Sequence, residues 1–185
     1  MRMIGFNQKK LDKFTSLAWP NKEQIIESEV RKNKAVIYGA RAMNMQLKPR
    51  VFGFPIFGRD TTDYDIFHRR PKPVAKRIER SLDIGYGADL FFVKEAIHPG
   101  TWKVMSKGVD NRANTEDDVG IADVTRPTRK IKTRTIGGVK YANISERERD
   151  AKRALTEKQY KFRWWKDRED LRRIKLSKQF GRGGI

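Results

Sequence analysis

Apolar positions fall along this chain in short blocks, and the spacing inside each block predicts the element it forms. Pro20-Asn21-Lys22-Glu23 opens a helix, because proline is tolerated in a first turn and Asn21 can cap it; Ile25, Ile26 and Val30 give it one apolar face, and Lys32-Asn33-Lys34 ends it. Ala35-Val36-Ile37-Tyr38 is a continuous apolar run, the pattern of a strand buried on both faces. Gly39 interrupts it, and Arg41 to Leu47 are good helix formers. Pro49 to Arg59, punctuated by Gly53, Pro55 and Gly58, reads as an irregular loop, with Phe52, Phe54 and Phe57 either tucked under the domain, the expected arrangement, or exposed for base stacking.

The second half of the core alternates in the same way. Asp63 to Phe67 predicts a strand with Tyr64 and Ile66 on one face and the two aspartates on the other. Pro73 to Leu82 is a basic amphipathic helix carrying Val74, Ile78 and Leu82 inward. Asp89 to Ile97 and Thr101 to Met105 form a hairpin around Pro99-Gly100, residues 106–118 form a polar loop, and Val119 to Val124 is a strand whose apolar run Asp123 breaks. Lys130 to Ile144 is a second hairpin candidate around Gly137-Gly138. From Ser145 the pattern turns helical and charged: Ser145 with Glu148 fits a capping box, and Leu155, Phe162, Trp165, Leu171 and Ile174 recur at roughly helical intervals, so these helices are expected to dock. The fold class is therefore α+β, with a mixed sheet and a charged C-terminal helical segment. Its expected organisation is an arm over residues 1–19 with Leu11, Phe14, Leu17 and Trp19 docking, a core over 20–144, a basic helical segment over 145–180 packing on that core, and a tail over 181–185. No internal repeat is present.

Charge changes this picture more than length or hydropathy does. The 185 residues can bury a real core, but 42 Lys and Arg stand against 23 Asp and Glu, a formal charge of +19. The excess is uneven: residues 126–185 hold 20 basic and 7 acidic side chains, residues 34–125 hold 15 and 12. Such a segment suits a polyanion, and nucleic acid, RNA or DNA, is the expected partner, with Lys72, Lys76, Arg163, Lys166, Arg172 and Arg173 as candidate phosphate contacts. Further protein partners in a larger assembly are a second expectation. There is no cysteine, which excludes disulfides and thiolate metal sites. No apolar run approaches the roughly 18 residues of a membrane span, and no signal-peptide core opens the chain. A soluble protein, in the cytoplasm or in a virion, is expected.

Candidate chemistry gathers on the acids inside strands. Asp63 and Asp65 lie one residue apart, so on a strand both carboxylates point one way about 6.5–7 Å apart along the backbone and can reach one cation. Asp123 supplies a third acid from a later strand, and Gly39 at a strand-to-helix turn would offer backbone N–H groups to a phosphate. Three hard oxygen donors suit Mg²⁺, two ions of which would activate a hydroxyl and stabilise a leaving pyrophosphate. Competing sites are weaker. His68 and His98 are the two histidines and have no obvious third ligand, no P-loop sequence exists, and no serine sits in a nucleophile elbow. Trp164-Trp165 reads as core, and Asp167 and Asp170, at i and i+3, are expected to pair with neighbouring Arg or Lys.

The order strand, Gly39-Ala40-Arg41, helix, Asp63-Tyr64-Asp65-Ile66-Phe67, then Ala122-Asp123-Val124-Thr125 resembles the DNA polymerase β-type nucleotidyltransferase superfamily. The C-terminal Arg163-Trp164-Trp165-Lys166-Asp167-Arg168-Glu169-Asp170-Leu171 is similar to the helix that closes many stand-alone minimal members, so the resemblance spans about residues 35–176. It implies a nucleotidyltransferase-like core, metal binding by Asp63 and Asp65, acceptor activation by Asp123, and an NTP substrate bordered by Gly39, Ala40 and Arg41. Two departures stand out: Ala40 replaces the usual Ser or Gly, and 24 positions separate Gly39 from Asp63, so residues 48–60 look inserted. The implied activity is Mg-dependent transfer of NMP from NTP to a hydroxyl, with nucleic acid, such as a tRNA-like end, as acceptor. The competing readings are a non-catalytic nucleic-acid-binding component of a virion or ribonucleoprotein that keeps the fold, and a toxin that modifies tRNA.

Overall fold

A computed structural model describes residues 22–52 and 54–181. Helix α1 spans Lys22–Lys32, strand β1 Val36–Tyr38, and α2 Gly39–Asn44. After the small pair β2 (Arg50–Val51) and β3 (Phe54–Pro55) come β4 (Tyr64–Phe67), α3 (Pro71–Tyr86), β5 (Phe91–Glu95), β6 (Thr101–Ser106) and β7 (Val119–Thr125). The chain continues through β8 (Thr133–Ile136), β9 (Val139–Ala142), α4 (Ile144–Thr156), a 3-10 segment Lys158–Arg163 and α5 (Trp164–Phe180). Seven strands form one mixed sheet in the order β5-β6-β7-β4-β1-β9-β8. At its centre β4 runs parallel to β7 and antiparallel to β1, while β1 is parallel to β9.

The period of two along these strands sorts the sheet into a buried face and an acid-bearing face. Ile37, Tyr64, Ile66, Ala122, Val124 and Tyr141 are buried, and Ile26 and Val30 of α1 with Val74, Ile78 and Leu82 of α3 join them in one core. The alternate positions, Tyr38, Asp65 and Asp123, remain partly exposed on the other side. There α4 and α5 pack on each other and close over α2, where Met43, Leu47 and Ile174 form a second small core with Phe57 against it. Among the described residues no helix is long and apolar enough to cross a membrane.

Several expectations are corrected. The 49–59 stretch contains the β2–β3 pair, and Phe52 and Phe54 are exposed, at 96% and 76%, because that pair projects from the molecule instead of tucking beneath it. Val36 and Tyr38 are only half-buried, since helices α1 and α3 cover β1 on one face alone. Asp63 precedes β4 rather than lying in it. Helix α4 starts two residues earlier than a Ser145 cap requires: Asn143 is the cap, its side chain accepting from the Ser145 N–H at 3.0 Å, and Glu148 pairs with Lys152 and Lys178 instead. Phe162 and Trp165 are exposed, while Trp164 is half-buried with its indole N–H donating to the Ala154 carbonyl. The expected arm at 1–19, the Asn21 cap and most of the tail lie outside the described residues.

Candidate active site

The acids sit at the middle of the sheet because strand register puts them there. Tyr38 opposes Asp65, Asp65 opposes Asp123, and Asp123 opposes Lys103, so four consecutive strands contribute to one row on one face. Asp63, two residues before Asp65, is exposed at the start of β4. Gly39 follows β1 as the first residue of α2, beside this row, with φ +66°, and a Cβ there would lie 2.0 Å from Asp65 Oδ2. Both the backbone angle and the missing side chain are thus demanded by the position. Tyr38 stacks flat on Phe67, ring centroids 3.7 Å apart, and forms the floor next to Asp65.

Burial and neighbouring acids together hold the proton on Asp65. Its carboxyl is pushed up to about 6, first by burial and then by the charges of Asp63 and Asp123, with Arg59 and Arg147 acting the other way. Burial also raises the Asp123 carboxyl, held back by Lys103, whose Nζ lies 3.6 Å from Asp123 Oδ2. Asp63 Oδ1 accepts from the Thr61 hydroxyl at 2.8 Å. With Asp63 and Asp123 turned to these local partners, no three His, Asp or Glu side chains among the described residues are arranged to hold one metal ion.

Beside Asp65 a cleft of about 260 Å³ is lined by Gly39 and Ala40 from the sheet side and by Arg59, Arg147 and Arg163 from the other. Two acids of α5 hold these arginines. Asp167 and Asp170 are fully buried; Arg147 donates to both, Arg59 donates to Asp170 at 3.1 Å, and Arg163 to Asp167 at 3.2 Å. The expected pairing of Asp167 and Asp170 is therefore present, but its partners come from α4 and the loop after β3 as well as from the neighbouring 3-10 segment. Sequence reasoning did not single out Arg59 or Arg147; each is one arginine among many, and the signal that could have found them was the pair of acids at i and i+3 in need of buried partners.

The remaining candidate residues divide. Arg41 faces away from the cleft: its Nε donates to the Asp63 carbonyl at 2.9 Å, its guanidinium lies 3.8 Å over the Tyr64 ring, and it pairs with Glu23. It holds the entry to β4. Arg173 donates to the Phe57 and Gly58 carbonyls, and Arg172 pairs with Glu169 on the α5 surface. Lys166 is exposed, its Nζ 5.3 Å over the Trp165 ring. Lys72 lies 4.4 Å over Trp102, and Lys76 projects from α3, on the side of the sheet opposite the acids. Of the six candidate phosphate contacts, Arg163 alone lines the cleft at Asp65.

No protein-family model matches the sequence, and neither does any curated protein. Solved structures do match. The polyadenylate synthase of Megavirus superposes with a TM-score of 0.64 at 20% identity, over 92% of this chain and 32% of that one. JHP933 from Helicobacter pylori gives a TM-score of 0.42 at 11% identity, over 82% and 58% of the two chains. The seven-stranded mixed sheet and the five helices described here form an α+β fold similar to that of the Megavirus polyadenylate synthase, of whose length this chain spans about a third.

Proposed function

We propose that this chain is a nucleotidyltransferase that moves a nucleoside monophosphate from an NTP to a hydroxyl of a nucleic acid. The observation that carries the reading is the row Tyr38, Asp65, Asp123, with Gly39 stripped of a side chain against Asp65 and an arginine-lined cleft alongside. Arg59, Arg147 and Arg163 are the groups suited to the triphosphate, held by Asp167 and Asp170 so that their charge is fixed in direction before substrate arrives. Asp123 is the candidate base: it takes the acceptor proton while the acceptor oxygen bonds to the α-phosphorus and the bond to the pyrophosphate oxygen breaks.

The donor set fits Mg²⁺ in kind. Asp63 and Asp65 offer hard oxygens, and Asp65, raised first by burial and then by the neighbouring charges of Asp63 and Asp123, is a carboxylate whose charge a divalent cation would offset. Bound there, the ion would polarise the phosphate and stabilise the leaving group. Asp63 and Asp123 would first leave Thr61 and Lys103. That local pairing favours a second reading, a fold-retaining component of a virion or ribonucleoprotein that binds nucleic acid without turnover. Labelled NTPs, Mg²⁺ and total RNA separate the two. Transfer by the wild type that falls at least 100-fold in Asp65→Asn and Asp123→Asn supports the enzyme; no transfer, or equal transfer by all three, rejects it.

A further inference from the structure

The cleft at Asp65 does not end there. A second cleft of about 260 Å³ shares Phe67, Ile131, Arg147 and Arg163 with it and continues past Thr125 to Arg126 and Pro127. A third, of about 770 Å³, takes Arg126 and Pro127 as one wall and His68, Arg69 and Arg70 as the other. The three share walls in sequence, so they form one trough that runs from the acids over the carboxyl ends of the parallel strands β4 and β7. Its charge is graded. Near the acids the arginines are paired: Arg147 with Asp167 and Asp170, and Arg129 with Glu146 and Asp150. At the far end Arg69, Arg70 and Arg126 are exposed and make no ion pair among the described residues.

We propose that this trough binds a single-stranded nucleic acid, whose end reaches the acids and whose body is held by Arg126, Arg69 and Arg70. The proposal rests on the transferase reading for what happens at the end of the strand, but not for binding. Exposed guanidiniums without partners suit phosphates, which they can meet in fork geometry. The preference for an unpaired strand comes from the aromatics. Tyr160 lines the second cleft next to Arg163 and Phe67 lines both it and the cleft at Asp65, while Phe162 of the same 3-10 segment and Trp165 of the first turn of α5 flank the clefts, 77% and 66% exposed, with Lys161 and Lys166 among them. Rings interleaved with cations stack on bases that a duplex keeps paired with one another.

Binding is measured by fluorescence anisotropy with labelled 20-mers of single-stranded RNA, single-stranded DNA and blunt duplex, without NTP or metal. Single strands are expected to bind at least tenfold tighter than duplex, and a difference between the RNA and DNA arms assigns the sugar. Arg69→Gln/Arg70→Gln/Arg126→Gln is expected to weaken binding by about tenfold or more and to flatten the log K against log [salt] slope by about 2, since each lost phosphate contact removes about 0.7. Phe162→Ala/Trp165→Ala is expected to weaken single-strand binding with the slope unchanged. Duplex binding as tight as single strand, or a triple variant with unchanged affinity and slope, overturns the proposal. Arg80→Gln, exposed on α3 on the side of the sheet opposite the acids, serves as the control and should bind as the wild type does; binding is read without NTP, so failure of transfer chemistry and failure of the trough read out separately.

Discussion

A methyl group on residue 39 has nowhere to go. It would meet Asp65 Oδ2 at 2.0 Å, on a backbone already at φ +66° that disfavours side chains by about 1–2 kcal/mol. Gly39→Ala is therefore expected to lower stability by roughly 1–3 kcal/mol in urea unfolding and, by displacing Asp65, to reduce transfer by far more than the stability loss explains. Asp65 itself carries a signature in pH. Its folded carboxyl titrates near 6, above the ordinary 3.8, so between about pH 4 and pH 6 the folded chain holds the proton more firmly than the unfolded one. Stability from this group is fully present below pH 4 and is lost as pH rises through 6. Asp65→Asn should then raise stability at pH 7 by about 1–3 kcal/mol, a gain that vanishes at pH 4. Thermal unfolding of both proteins at the two pH values checks this. At pH 7 added Mg²⁺ should raise the midpoint of the wild type and leave Asp65→Asn unmoved.

Helix α5 shows what patterning can and cannot reveal about an element. Its inward stripe is Asp167, Asp170, Ile174 and Ser177, a helical spacing with one apolar member. Hydrophobic periodicity found Ile174 but otherwise selected Phe162, Trp165 and Leu171, because a search for apolar repeats is blind to a stripe built on buried charge. The strands were legible for the opposite reason: Tyr64 and Ile66 alternate with the acids, and the core confirms that alternation. Buried ions also make α5 fragile in a specific way. Asp170→Ala leaves Arg147, whose side chain is 14% exposed, without its main counter-charge, and is expected to cost about 3–5 kcal/mol. In a double-mutant cycle with Arg147→Ala the second change should cost far less than it does alone. Additive losses would mean that the network is not the load on this helix.

On the scale of the whole molecule, the candidate site joins parts of the chain that are distant in sequence. Asp65 and Asp123 were visible as acids inside apolar runs, but their common row depends on β4 lying parallel to β7, which no local pattern encodes. The cleft needs a further coincidence: Gly39 and Asp65 come from the sheet, Arg147 and Arg163 from the helical segment. That segment is fastened to the sheet by the contact of Ile174 with Met43 and Leu47, by the Lys48 N–H donating to the Ser177 hydroxyl at 2.7 Å, and by the Arg59 pair with Asp170. Contacts of this kind, apolar and ionic together, predict one cooperative unit despite the change in composition near residue 145. Ile174→Ala, which opens a void in a small closed cluster, is expected to remove about 2–4 kcal/mol while keeping a single transition. Urea unfolding followed by tryptophan fluorescence, with Trp164 on α5, and by far-UV circular dichroism should give coincident curves for wild type and variant. If the fluorescence change instead precedes the loss of secondary structure, the helical segment melts before the sheet, and the arginines of the cleft are borrowed from a separately folding unit.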